Sequence, residues 1–157
     1  MFGTSATAAA AAASATTHPL AWPAPTFSYD VHVYFDHTSP KDVESATQLR
    51  ERIIKEFGHF EDLRVFQMHK KPLGEWVLEL AGAGGPHPTG MFECDFRDPQ
   101  IFGHIVPWLQ IHHGSHSVLV HPRTGFPLRE HTENAIWMGE KQALVMKYLP
   151  ETDGQQH

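Results

Sequence analysis

Thirteen histidines stand in a chain of 157 residues. Neutral imidazole is a common metal ligand and its pKa lies nearest neutrality, so this excess points to metal or acid-base chemistry. Four residues able to do such chemistry sit in short alternating runs: His32 in "FSYDVHVYFD", His69 in "EDLRVFQMHKKPLG", Glu93 in "GMFECDF" and His121 in "SHSVLVHPRTG". Two histidines and one carboxylate brought together have the composition of a facial triad. Such a triad holds non-haem Fe(II) and leaves coordination positions open for substrate and O₂. His32, His121 and Glu93 are the candidates. Asp30 and Tyr34 flank His32 at the same parity, where they can orient its ring. Arg123, just past His121, offers a guanidinium fork for a substrate carboxylate. His87 lies in the Gly/Pro-rich approach to the Glu93 run, and His131 follows "HPRTG" by a short loop that can fold back over the site. The other histidines read as bland. His112 and His113 complement the carbonyl end of a helix, and His18, His37, His59, His104, His116 and His157 have no evident converging partner.

The elements that must position these residues follow from periodicity. In the first run Phe27, Tyr29, Val31, Val33 and Phe35 take one face of a strand, and Ser28, Asp30, His32 and Tyr34 the other. "TSPKDVESATQLRERIIKEFG" reads as an amphipathic helix, capped by Ser39, opened by Pro40 and stopped at Gly58, with Val43, Ala46, Leu49, Ile53 and Phe57 on its apolar stripe. A second strand sets Phe66 and Met68 against Val65, Gln67 and His69. A third sets Phe92, Cys94 and Phe96 against Met91, Glu93 and Asp95. A second helix begins at the Asp98 cap and Pro99 and stops at Gly114; Pro107 should kink or interrupt it. The fourth strand turns Val118 and Val120 inward and Leu119 and His121 outward. A short capped helix is expected over Thr132 to Met138, with room for a final short strand.

Strand, helix, strand, strand, helix, strand is the order of the α+β split β-α-β fold called ferredoxin-like: a four-stranded antiparallel sheet with helices on one face. Its spatial order, 4-1-3-2, makes the first and third strands central neighbours. If the apolar sets pack on the helices, the opposite face is left open and carries His121, His32, Glu93 and His69 across the sheet.

Composition narrows the rest. The net charge of −6, with 12 Lys plus Arg and no basic block, argues against nucleic acid as a partner. No apolar run approaches the roughly 18–20 residues that cross a bilayer, so no membrane association is expected. The single cysteine, Cys94, cannot make an intrachain disulfide, which suits a reducing, cytoplasmic location. Residues 1–26, Ala/Ser/Thr-rich and then Pro-rich, read as a disordered extension, residues 27–149 as one domain, and residues 150–157 as a polar tail. The glycines of "AGAGG" lack the Gly-Lys-Ser/Thr sequel of a phosphate loop. No Ser-His-Asp or Cys-X-X-Cys pattern is legible.

The stretches "YDVHVYFD", "GPHPTGMFE", "HPRTG" and "HTENAIWMG" together resemble the DOPA 4,5-dioxygenase family, over roughly residues 27 to 149. The resemblance implies extradiol opening of a catechol such as dihydroxyphenylalanine, with both atoms of O₂ inserted, in a family associated with fungal pigment biosynthesis. Its motif positions fall on His32, His87, Glu93, His121, Arg123, His131 and Trp137. The expectation is therefore Fe(II) on His32, His121 and Glu93, with His87 as the substitute third ligand. Acid-base work falls to His87 or His131, with His69 as a further candidate. Arg123, Tyr34 and Trp137 would contact the substrate. Open sheet faces of such domains often pair, so a homodimer is expected. Two other readings stand beside this one: a non-catalytic dimeric module holding a small aromatic or a metal, and a zinc-dependent hydrolase.

Overall fold

The computed structural model describes residues 21–72 and 85–154. The first twenty residues of the expected extension, all of "AGAGG" but its last glycine, and residues 155–157 lie outside the described residues. The elements are β1 (Ser28–Phe35), α1 (Pro40–Phe57), β2 (Arg64–Val65), β3 (Gly90–Phe96), α2 (Pro99–His112), β4 (Ser117–Arg123), α3 (Pro127–His131) and β5 (Ile136–Met138), followed by a 3₁₀ turn at Met146–Tyr148. The sheet is antiparallel in the order β2-β3-β1-β4-β5. This is the expected 4-1-3-2 core with a fifth strand added beside β4.

Both long helices begin as their sequences dictate. Ser39 accepts from the Asp42 amide and Asp98 from the Gln100 amide, with a proline opening each first turn. Gly114, at φ 61°, follows the cap of α2. Pro107 does not interrupt α2. Pro107 lies on the exposed side of the helix, as does Gly103, whose carbonyl loses its partner to the missing N–H and can turn to water. Val31, Val33, Phe92, Cys94, Phe96, Val118 and Val120 meet Leu49, Ile53, Phe57, Ile101, Ile105 and Leu109 in one core between sheet and helices. Each large side chain buried there contributes about 1.5–3 kcal/mol. That energy locks the strand phase, since a slip of one residue would turn this entire set toward the other face.

Three expectations are corrected. The second strand shrinks to Arg64–Val65 and an isolated bridge between His69 and Met91. Val65 pairs with Cys94 and packs on the core, as Met68 does, so the backbone loses its alternation between them. The helix expected over Thr132–Met138 is instead α3, opened by Pro127, followed by β5; Ile136, Trp137 and Met138 pair with Val120, Leu119 and Val118, and that ladder overrides local propensity. The face expected to be open is covered. Tyr34, Met91, Leu119 and Leu144 form a second apolar cluster with Ala135 and Trp137, and the Val145 amide donates to the Pro86 carbonyl at 2.8 Å, tying the C-terminal segment over the His87 loop. Trp22, within residues 1–26, packs at a tilt against Tyr29 and donates to the Arg97 carbonyl. Pro150 and Asp153, in the expected tail, bond back to Leu128 and Gly125.

Among the described residues no helix is long and apolar enough to cross a membrane.

Candidate functional site

The register arranges the face away from the helices in rows. One row runs Arg64, Asp95, Asp30, His121; the next runs Glu93, His32, Leu119, Trp137; the third holds His69, Met91, Tyr34 and Ser117. The period of two therefore delivers His32, Glu93 and His121 to one face, as their strands require.

Within that face the histidines converge. His32 and His121 approach through their Nε2 atoms at 3.0 Å, with rings stacked at 5.1 Å. His131, from α3, lies over His121 at 4.1 Å between ring centroids. One nitrogen from each of the three falls within 4.8 Å of the others. His121 Nδ1 donates to the Pro122 carbonyl at 3.1 Å, and His131 Nδ1 to the Pro127 carbonyl at 2.9 Å. A carbonyl only accepts, so each bond fixes the Nδ1–H tautomer and leaves Nε2 with its lone pair. Burial holds all three rings neutral. It pushes His121 down to about 3, with His131 adding to the effect, and puts His32 well below its ordinary value and His131 below it too.

These are the conditions under which imidazoles take a divalent transition metal: neutral rings with nitrogen lone pairs brought together. Two nitrogens about 2.1 Å from one cation, at right angles around it, lie about 3.0 Å apart, which matches the His32–His121 spacing.

Glu93 stands beside His32 as expected, at the edge of the ring away from His121. Its Oε2 lies 3.8 Å from Nδ1 of His32, the nitrogen turned away from His121. That Nδ1 is buried with no hydrogen-bond partner of its own. Glu93 instead joins Asp30 and Asp95 in a carboxylate cluster. Asp95 is held by both arms of the Arg64 fork. Asp30 lies 4.0 Å from His121 Nε2 and 3.8 Å from Arg123 Nε. Burial, reinforced by the neighbouring carboxylates, raises Asp30 to about 8 and Glu93 to about 7.

His87 packs on the other side of His32 at 4.5 Å, and its Nδ1 shares a 2.8 Å hydrogen bond with the Tyr34 hydroxyl. Burial, then His131 and His69, lowers His87 to about 3. Tyr34 is buried and its hydroxyl pKa raised; it stacks on Trp137 at 5.7 Å. His69 stays exposed at the rim and reaches the group only through its electrostatic effect on His87. Arg123 lies at the foot of the face, its guanidinium over the Phe27 ring, beside a cavity of about 170 Å³ that Ser28, Arg64, Asp95 and Arg97 also line.

Two residues escape sequence reasoning. His116 is buried, linking Ser45 through Nε2 and the Tyr34 carbonyl through Nδ1; it shares the parity of Val118 and Val120, a signal that would have placed it inward. Glu130 is buried beneath the loop after β4, and no local pattern marks it.

A ferredoxin-like sheet whose face away from α1 and α2 is lined with buried histidines and carboxylates defines the class of this chain. Residues 29–148 match the Dopa 4,5-dioxygenase family, and the chain belongs to that family. It is 38% identical over 129 residues, 78% of the chain, to an uncharacterized 21.2 kDa protein of Botryotinia fuckeliana, and 27% identical over 121 residues, 76% of the chain, to a DOPA 4,5-dioxygenase of Amanita muscaria. These matches span 63% and 48% of the two relatives, so the chain covers about half to two thirds of their length. The crystal structure of a candidate dioxygenase from Nostoc punctiforme superimposes with a TM-score of 0.60 at 27% identity, over 78% of this chain and 90% of that one.

Proposed function

We propose that the chain is an extradiol dioxygenase that opens the ring of a catechol such as dihydroxyphenylalanine with O₂, at a non-haem Fe(II) held by His32, His121 and His131. The observation that carries this reading is the convergence of three neutral, buried histidines on one face of a chain belonging to this family. When bound, the metal supplies a Lewis-acid centre for the catechol oxygens and a one-electron path between ring and O₂.

The protein residues do the rest. Glu93 is assigned to the Nδ1–H of His32, which a metal on Nε2 requires; it orients the ring and does not ligate. His87 takes a phenolic proton at Nε2, in the tautomer whose Nδ1–H donates to the Tyr34 oxygen, and later returns it. Its low pKa keeps it neutral, with Nε2 unprotonated, at physiological pH. Trp137, stacked on Tyr34, presents an aromatic wall, and Arg123 binds a carboxylate on the substrate's side chain. The covered face replaces water around the reacting ring with fixed groups.

The test is to load the metal-free protein with Fe(II) under nitrogen, then admit air with dihydroxyphenylalanine. One O₂ should be consumed per catechol, with a yellow product, and His121→Ala should abolish both the uptake and stoichiometric iron binding. No uptake with any of a panel of catechols sinks the proposal. Stoichiometric zinc together with O₂-independent turnover would favour a hydrolase.

A further inference from the structure

We infer that Glu130 is the positioning residue of His131, and that it works by clamping the loop between β4 and α3. The inference rests on the metal-centre reading above for its functional meaning, but the geometry stands alone. His121 and His131 belong to one continuous stretch: β4 ends at Arg123, the chain turns through Gly125 at φ 85°, and α3 starts at Pro127. The helix is only five residues long, and its N-cap residue, Phe126, offers no side-chain hydrogen bond. By itself such a segment has little reason to stay in place, since short helices are marginal in water.

Glu130 supplies what the helix lacks. Its side chain folds back into the loop, where a single oxygen, Oε1, accepts from the Thr124 amide, from the Thr124 hydroxyl at 3.0 Å and from the Phe126 amide at 3.1 Å. The residue is only 4% exposed. A carboxylate is buried this deeply only when several donors replace its water, and all three donors here come from the one loop that joins His121 to His131. The Glu130 amide also donates to the Phe126 carbonyl, so backbone and side chain of the same residue bind the two ends of the turn. The next residue along is His131, whose Nδ1 is tied to Pro127 inside the same short helix. Losing the Glu130 carboxylate leaves three loop donors without their acceptor and frees the helix that holds His131 over His121.

The experiment compares Glu130→Ala, Glu130→Gln and Thr124→Val in the full chain, using Co(II) as the probe. Co(II) affinity is measured by chelator competition and its ligand field by absorption. Outer partners of this kind typically change metal affinity about 10–100-fold, so Glu130→Ala should weaken Co(II) by that factor and alter the band intensity. Glu130→Gln keeps an accepting oxygen and should restore the wild-type spectrum, and Thr124→Val should fall between; a residue needed only for bulk stability gives no such rescue. The His131 Nδ1 proton, followed by NMR in the metal-free protein, is the second readout. It should move or exchange faster in Glu130→Ala and stay in place in Glu130→Gln. If Glu130→Ala leaves that proton and the Co(II) spectrum unchanged, the inference is overturned. If the wild type binds no Co(II), the metal-centre reading fails and the NMR readout alone decides the role of Glu130. If Glu130→Ala does not fold, the comparison of Glu130→Gln with Thr124→Val decides it, and equal, wild-type behaviour of those two counts against the clamp.

Discussion

Stripping the metal and changing pH should give a stability maximum near pH 6.5, with losses on both sides. His32, His87 and His121 are held neutral by burial, the last two with pKa about 3 against an ordinary 6.5. Between those values each is neutral when folded and protonated when unfolded, so unfolding takes up protons and stability falls as pH falls. Asp30 and Glu93 act in the opposite sense. They keep a proton when folded up to about 8 and about 7, but lose it when unfolded above their ordinary 3.8 and 4.5. Near pH 5.5 at least three uptakes oppose two releases, a net uptake of at least one proton. Each net proton is worth about 1.4 kcal/mol per pH unit, so stability drops by at least that much from pH 6 to 5. Above 6.5 the unfolded histidines progressively lose their protons and the carboxylate releases take over. Stability then falls by about 1 kcal/mol per unit between pH 7 and 8 and levels off beyond. A bound divalent metal favours ionised carboxylates and neutral rings, so it should erase the alkaline loss and steepen the acid one. Urea unfolding of chelator-treated and metal-loaded protein from pH 5 to 8.5 measures both limbs. A steady rise through pH 8 without metal would show Asp30 and Glu93 ionised in the fold. A stability that keeps rising as pH falls from 6.5 to 5 would show that the histidines can be protonated in place, leaving only the carboxylate releases, and the buried cluster would then be wrong.

Gly90→Ala should cost about 1–3 kcal/mol, read as a lowered urea midpoint, because its Cβ would stand 2.5 Å from Phe35 Cε2 and 3.0 Å from His37 Cβ at the start of β3. Arg123→Ala should raise KM for dihydroxyphenylalanine about 10–100-fold, the worth of a charge-assisted hydrogen bond. It should leave KM for unsubstituted catechol, which has no carboxylate, unchanged.

The parts of this protein that alternate could be read from its residues. In β1, β3 and β4 the apolar parity was unbroken, so Val31, Phe92 and Val120 fixed which face their neighbours would occupy. His32 and His121 fell together for that reason alone. Where alternation fails, so did the reading. Between Val65 and Met68 both side chains reach the same core, and only tertiary contact with β3 and α1 decides that. The place of the fifth strand was hidden because "HTENAIWMG" carries a helix-cap signature at Thr132, while the ladder to β4 that overrides it is a long-range contact.

The third donor of the proposed metal centre marks the limit more sharply. Parity states which face a side chain takes, and it placed Glu93 beside His32 correctly. It says nothing about which ring nitrogen the carboxylate will meet. Because His121 approaches Nε2 from β4, Glu93, arriving from β3 on the opposite side of His32, is left with Nδ1. Neighbours on either side of a central strand address opposite edges of its imidazole, so a third donor to the same point has to come from outside the three strands. In the proposed centre it comes from α3, after a loop that turns at a positive-φ glycine and donates to one buried glutamate. Moving the carboxylate from ligand to partner of His32 predicts a specific asymmetry. Glu93→Gln, which still accepts a hydrogen bond at Oε1, should keep metal at full stoichiometry with affinity reduced about 10–100-fold, whereas His131→Ala should lose it. Equal loss in both variants, measured by metal analysis after gel filtration, would return Glu93 to the coordination sphere.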